Sequence, residues 1–139
     1  MTDILLVDDD KAALYALQEV LSDLGARLHL AESGEDALRL VLKQPFAAIL
    51  LDVRLPQMDG FEVAAAIRSL ERSRRTPILF MSANEDRRGT ARPGDEEYLR
   101  KPLPPELIRS KVSALLPPQE EGGRATSGGP EFAAELGTQ

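Results

Sequence analysis

Phe46-Ala47-Ala48-Ile49-Leu50-Leu51-Asp52 is a run of six apolar residues closed by a carboxylate. A short continuous run of this kind fits a strand buried on both faces, with only its carboxyl end meeting solvent. The same arrangement appears at Ile4-Leu5-Leu6-Val7, which ends in Asp8-Asp9-Asp10, and at Pro77–Met81, which ends at Ser82. Between these runs the apolar spacing becomes helical. Leu14, Leu17, Val20, Leu21 and Leu24 recur at threes and fours, and Gly25 follows as a helix stop. Leu28 and Leu30 alternate as in a second strand, and Ser33 with Asp36 reads as a capping box opening a helix through about Lys43. Beyond Asp52, the loop Arg54–Gly60 leads to a helical pattern of Phe61, Val63, Ala64, Ile67 and Leu70. Tyr98 and Leu99 predict a short fifth strand before Lys101-Pro102. Pro104 and Pro105 suit a helix's first turn. Leu107, Ile108, Val112, Leu115 and Leu116 give that helix its apolar face, and Pro117-Pro118 stop it. Strands alternating with helices require crossover connections, hence a doubly wound α/β fold with a parallel sheet covered on both faces.

The bulk properties narrow the function by exclusion. At 139 residues the chain is long enough for one core. It has no cysteine, which rules out disulfides, zinc fingers and cysteine catalysis. The N-terminal apolar run is only four residues long and flanked by acids, unlike a signal peptide, and no stretch reaches membrane-spanning length. A cytoplasmic protein with no membrane contact is expected. The net charge of −6 argues against nucleic-acid contact, which needs a basic face.

Ligands of doubly wound sheets bind outside the carboxyl ends of the strands. The polar residues at those ends are Asp8 and Asp9, Asp52, Ser82 and Lys101. Two carboxylates about 4 Å apart repel by about 4 kcal/mol at an effective dielectric of 20. A hard divalent cation relieves that repulsion, and Mg²⁺ binds a few carboxylates while keeping positions for a phosphate. With an ammonium and a hydroxyl at the same edge, the set suits phosphoryl transfer to a carboxylate.

Ile4–Asp10, Leu50–Gly60, Met81-Ser82-Ala83 and Tyr98–Pro102 together resemble the receiver domains of two-component response regulators, across residues 3–116. The resemblance implies a five-stranded, flavodoxin-like parallel sheet of order 2-1-3-4-5. It implies that Asp52 is the phosphoacceptor, and that Asp8, Asp9 and Asp52 bind Mg²⁺ (or Mn²⁺) with the Arg54 backbone carbonyl. Ser82 would be the switch hydroxyl, Ala83 the small residue beside the phosphoryl oxygens, and Lys101 the phosphoryl-binding lysine. Tyr98 would be the switch aromatic, and a cis peptide would precede Pro102. The partners implied are a sensor histidine kinase or phosphotransfer protein and a downstream output partner of unknown identity. Such a domain catalyses only its own phosphorylation and dephosphorylation.

Other charged groups have plainer readings. Asp10 reads as the cap of the first helix, His29 as structural or exposed, and Arg72, Arg74 and Arg75 as a solvated helix end. Two other functions compete. A pseudoreceiver that only docks a partner would usually lack an acid, the acceptor or the lysine, all present here. A metal-dependent phosphohydrolase finds nominal Asp-x-Asp spacing at Asp8 and Asp10 but no cap insert, and leaves Asp52 unexplained. The stretch Asn84–Glu97 contains Gly89, Pro93 and Gly94, and only Ala91 is apolar. The fourth helix of the family is therefore expected to be truncated or irregular. Residues 1–116 read as the receiver and 117–139, with eight Gly or Pro in 23 residues, as a flexible tail or linker.

Overall fold

The computed structural model of the chain describes residues 2–82, 96–102 and 104–116. The elements run β1 (Asp3–Val7), α1 (Lys11–Leu21) with a 3₁₀ turn at Ser22–Leu24, β2 (Arg27–Ala31), α2 (Gly34–Lys43) and β3 (Ala48–Asp52). They continue with α3 (Gly60–Arg68), a 3₁₀ turn at Glu71–Ser73, β4 (Ile78–Ser82), β5 (Glu96–Arg100) and α4 (Pro105–Leu115). All strand pairs are parallel, in the order β2-β1-β3-β4-β5.

Period-two alternation along each buried strand divides its side chains between two cores. Leu5, Val7, Ile49, Leu51, Ile78 and Phe80 face α2 and α3, meeting Ala37, Val41, Val63 and Ile67. Ile4, Leu6, Leu50, Leu79 and Met81 face α1 and α4, meeting Leu14, Leu17, Leu21, Ile108 and Val112. Every residue of β3 and β4 is buried. Each Leu or Ile so buried contributes roughly 1.5–3 kcal/mol relative to exposure, which sets these two strands rigidly inside the molecule.

Polar caps fix where the helices begin. The Asp10 carboxylate accepts from the Ala12 amide at 3.0 Å, as its reading as a cap requires. Ser33 Oγ accepts from the Asp36 amide at 3.1 Å. A complete capping box opens α3: the Asp59 carboxylate accepts from the Glu62 amide at 2.9 Å, and Glu62 accepts from the Asp59 amide at 3.0 Å. Gly25 takes a φ of 76° at the end of the 3₁₀ turn, a left-handed conformation that glycine adopts without strain. At the sheet edge, Asp3 accepts from Arg27 Nε at 2.8 Å and lies 2.9 Å from His29 Nε2. The Arg27 guanidinium holds the Asp3 carboxyl down at about 2 against the opposing effect of burial. His29 is thus a structural residue, packed edge-on against Phe46.

Boundaries differ from the expected ones in three places. Phe46 and Ala47 precede β3, Leu70 lies past the end of α3, and β5 begins at Glu96. The last difference assigns Glu96 and Glu97 to the sheet, taking them from the stretch expected to hold a degraded helix. The remainder of that stretch, Ala83, and the expected tail beyond Leu116 lie outside the described residues. The reading of Arg72 as merely solvated fails. Its Nη2 donates to the carbonyls of Val41, at 3.0 Å, and Leu42, because α2 ends there with carbonyls lacking helical partners. No helix among the described residues is long and apolar enough to cross a membrane.

Candidate functional site

Register brings the acids together. Val7 pairs with Leu51, so Asp8, the next residue after β1, stands level with Asp52 at the end of β3. Asp8 is held there by its amide, which donates to the Ala31 carbonyl at 3.1 Å. Asp52 pairs with Met81, and Ser82 follows one position further along β4. Ser82 is itself paired with Arg100, and its carbonyl accepts from the Lys101 amide at 2.9 Å. Lys101 thereby leaves β5 over the same edge. The bond between Lys101 and Pro102 is cis.

Carboxylate oxygens of Asp8, Asp9 and Asp52 lie within 4.8 Å of one another. Asp8 and Asp52 are 1% and 6% exposed, whereas Asp9 faces solvent. Lys101 Nζ donates to Asp8 Oδ2 at 3.0 Å and approaches Asp52 Oδ2 at 3.5 Å. The other oxygens face backbone amides: Asp8 Oδ1 accepts from Asp10 at 3.0 Å, and Asp52 Oδ1 accepts from Arg54 at 3.2 Å. One ammonium thus contacts two of the three carboxylates.

The electrostatic consequence falls on Asp52. Burial, reinforced by the charge of Asp8, pushes its carboxyl up to about 6, although Lys101 and the Arg54 amide pull the other way. For Lys101, burial disfavours the charged ammonium. The hydrogen bond to Asp8 and the charges of Asp52 and Asp8 outweigh that effect and raise its pKa. An all-oxygen donor set with excess negative charge, one face of it open, fits a hard divalent cation in an oxygen-rich shell.

Of the remaining predicted residues, the structure describes Arg54, Ser82 and Tyr98. Arg54 is exposed just past Asp52, and Ser82 is buried at the end of β4. Tyr98 is half-buried on β5, its ring stacked on Phe80 with centroids 5.4 Å apart, and Phe61 lies 6.0 Å from it. The Asp59–Glu62 capping box is not among the features predicted from sequence, although its Asp-x-x-Glu spacing is a recognisable signal. It matters because α3 starts against the end of β3: the Gly60 amide donates to the Val53 carbonyl at 2.7 Å.

A family model for the response regulator receiver domain matches residues 4–113. An uncharacterized 14.6 kDa protein of Leptolyngbya boryana is 38% identical over 111 residues, covering 77% of this chain and 85% of the relative. The transcriptional regulatory protein AfsQ1 of Streptomyces coelicolor is 36% identical, over 84% of this chain but only 52% of its own length. Among solved structures, the receiver domain of the sensor histidine kinase PA1611 from Pseudomonas aeruginosa superposes with a TM-score of 0.74 at 32% identity, covering 82% of this chain and 96% of that one. That structure holds a magnesium ion coordinated in its active-site cleft.

Proposed function

This chain belongs to the response regulator receiver domain family, and from that premise we propose that it is a signalling switch that accepts a phosphoryl group on Asp52 from a phosphohistidine donor. One observation carries the reading: three carboxylates and an ammonium meet where the carboxyl ends of β1, β3 and β5 converge. In the transfer, an Asp52 oxygen forms a bond to phosphorus as the bond from phosphorus to the donor imidazole nitrogen breaks. The leaving imidazole keeps the bonding pair and takes a proton, and Asp52 becomes a mixed anhydride.

The acidic cluster fits Mg²⁺, which Asp8, Asp9 and Asp52 would hold together with the Arg54 carbonyl. When bound, the ion offsets the negative charge that separates an anionic donor from an anionic acceptor. Lys101 neutralises phosphoryl oxygens as they arrive, at the cost of its contact with Asp8. The Ser82 hydroxyl closes on another phosphoryl oxygen, and Tyr98 follows from its place against Phe80. The donor is a sensor histidine kinase or phosphotransfer protein of the cytoplasm, and a downstream partner reads the altered surface. Residues 1–116 form the receiver.

Incubation with acetyl phosphate and Mg²⁺ tests this. Wild-type protein should gain one phosphoryl group by intact mass, and Asp52→Asn none. Undiminished labelling of the variant would refute the assignment.

A further inference from the structure

A second polar site lies at the opposite edge of the sheet. Phe46 precedes β3 and Thr76 precedes β4, so both stand at the amino ends of strands, away from the acidic cluster. With Arg72, Arg74 and Arg75 they line a cavity of about 500 Å³. Among the described residues, three arginines and one acid, Glu71, line it, in a chain whose net charge is −6. The bonds from Arg72 to the α2 carbonyls use one of its nitrogens and anchor the group, leaving its other N–H donors. Arg74 and Arg75 are exposed, and their guanidinium groups make no hydrogen bond or ion pair with the described residues.

Thr76 supplies an independent sign of a ligand. It is 8% exposed, its amide donates to Ser73, and its carbonyl accepts from Arg68. Its hydroxyl has no partner among the described residues. A buried hydroxyl takes an external partner, water or a ligand oxygen, and this one lies on the lining of the cleft. Phosphate oxygens accept from hydroxyls and from paired guanidinium donors alike. The cleft is open to solvent, with room for a phosphate group and more. We propose that this cleft binds a phosphate-bearing small molecule, with the phosphate on Arg74, Arg75 and the Thr76 hydroxyl and the remainder against Phe46.

Amide NMR of the full chain, without divalent cation, tests this by titrating adenosine monophosphate and, separately, inorganic phosphate. Saturable shifts are expected for amides 71–77, with the nucleotide binding more tightly than phosphate. Arg74→Ala/Arg75→Ala should weaken binding about tenfold or more, and Thr76→Val should weaken it with fold and shape retained. Asp52→Asn should leave it unchanged. Because both arginines are exposed, their variant reports binding even where Thr76→Val folds poorly. Equal affinity for both probes would overturn the contact with Phe46 and with it the small-molecule reading. Absence of saturation at millimolar ligand, unchanged affinity in the arginine variant, or shifts confined to the surroundings of Lys101 would overturn the proposal. So would the same shifts appearing with salt alone.

Discussion

Asp52 carries a conflict that its function would resolve. Its carboxyl titrates at about 6 rather than 3.8, so between those values the folded chain holds a proton that the unfolded chain has released. Metal-free stability therefore falls, through this group, as pH rises from about 4 to 6, and stays reduced at neutrality. Asp52→Asn should stabilise the metal-free protein at pH 7 by roughly 1–2 kcal/mol, a gain held down by the opening of the site to water at Asp9. The gain should fade below about pH 4, as thermal melts in chelator across that range would register. A variant no more stable than wild type at pH 7 would mean the repulsion is absent. The same proton competes with a cation, so Mg²⁺ affinity should fall as pH drops through 6, by at most about tenfold for each pH unit from this carboxylate. Calorimetric titrations at pH 7.5 and 5.5 giving equal affinities would speak against Asp52 as a ligand.

At the scale of elements, the join between β3 and α3 is the point of least tolerance. A Cβ on Gly60 would stand 2.5 Å from the Asp52 carbonyl oxygen and 2.8 Å from Val53 Cα, both backbone atoms that no rotamer change can move. Gly60→Ala should therefore displace the end of β3, lowering the melting temperature and slowing phosphorylation together. Full activity with an unchanged melt would show that the strand end has slack. The sequence made most of this layout readable. Short uninterrupted apolar runs such as Ala48–Leu51 fit strands covered on both faces, and acids at their ends mark the exposed edge. Arg72 was less legible, because its role depends on where α2 stops in space, and nothing nearby in sequence encodes that. The site residues themselves were readable because parallel register turns three separate strand ends into one place. The exact starts of β3 and β5 were not, since Phe46 and Glu96 differ from their neighbours only in tertiary pairing.

For the molecule as a whole, the two ends of the sheet have opposite chemistry. The carboxyl edge gathers acids around one lysine, and the amino edge gathers arginines around a buried hydroxyl. The chain spans 52% of the length of AfsQ1. The proposed switch is defined by one covalent bond. That bond can be located directly. After phosphorylation with acetyl phosphate and Mg²⁺, borohydride reduction converts an aspartyl phosphate to homoserine, and peptide sequencing by tandem mass spectrometry reads the modified position. The account predicts homoserine at position 52 alone; homoserine at position 8 or 9, or none in protein that has gained the mass of a phosphoryl group, would contradict it.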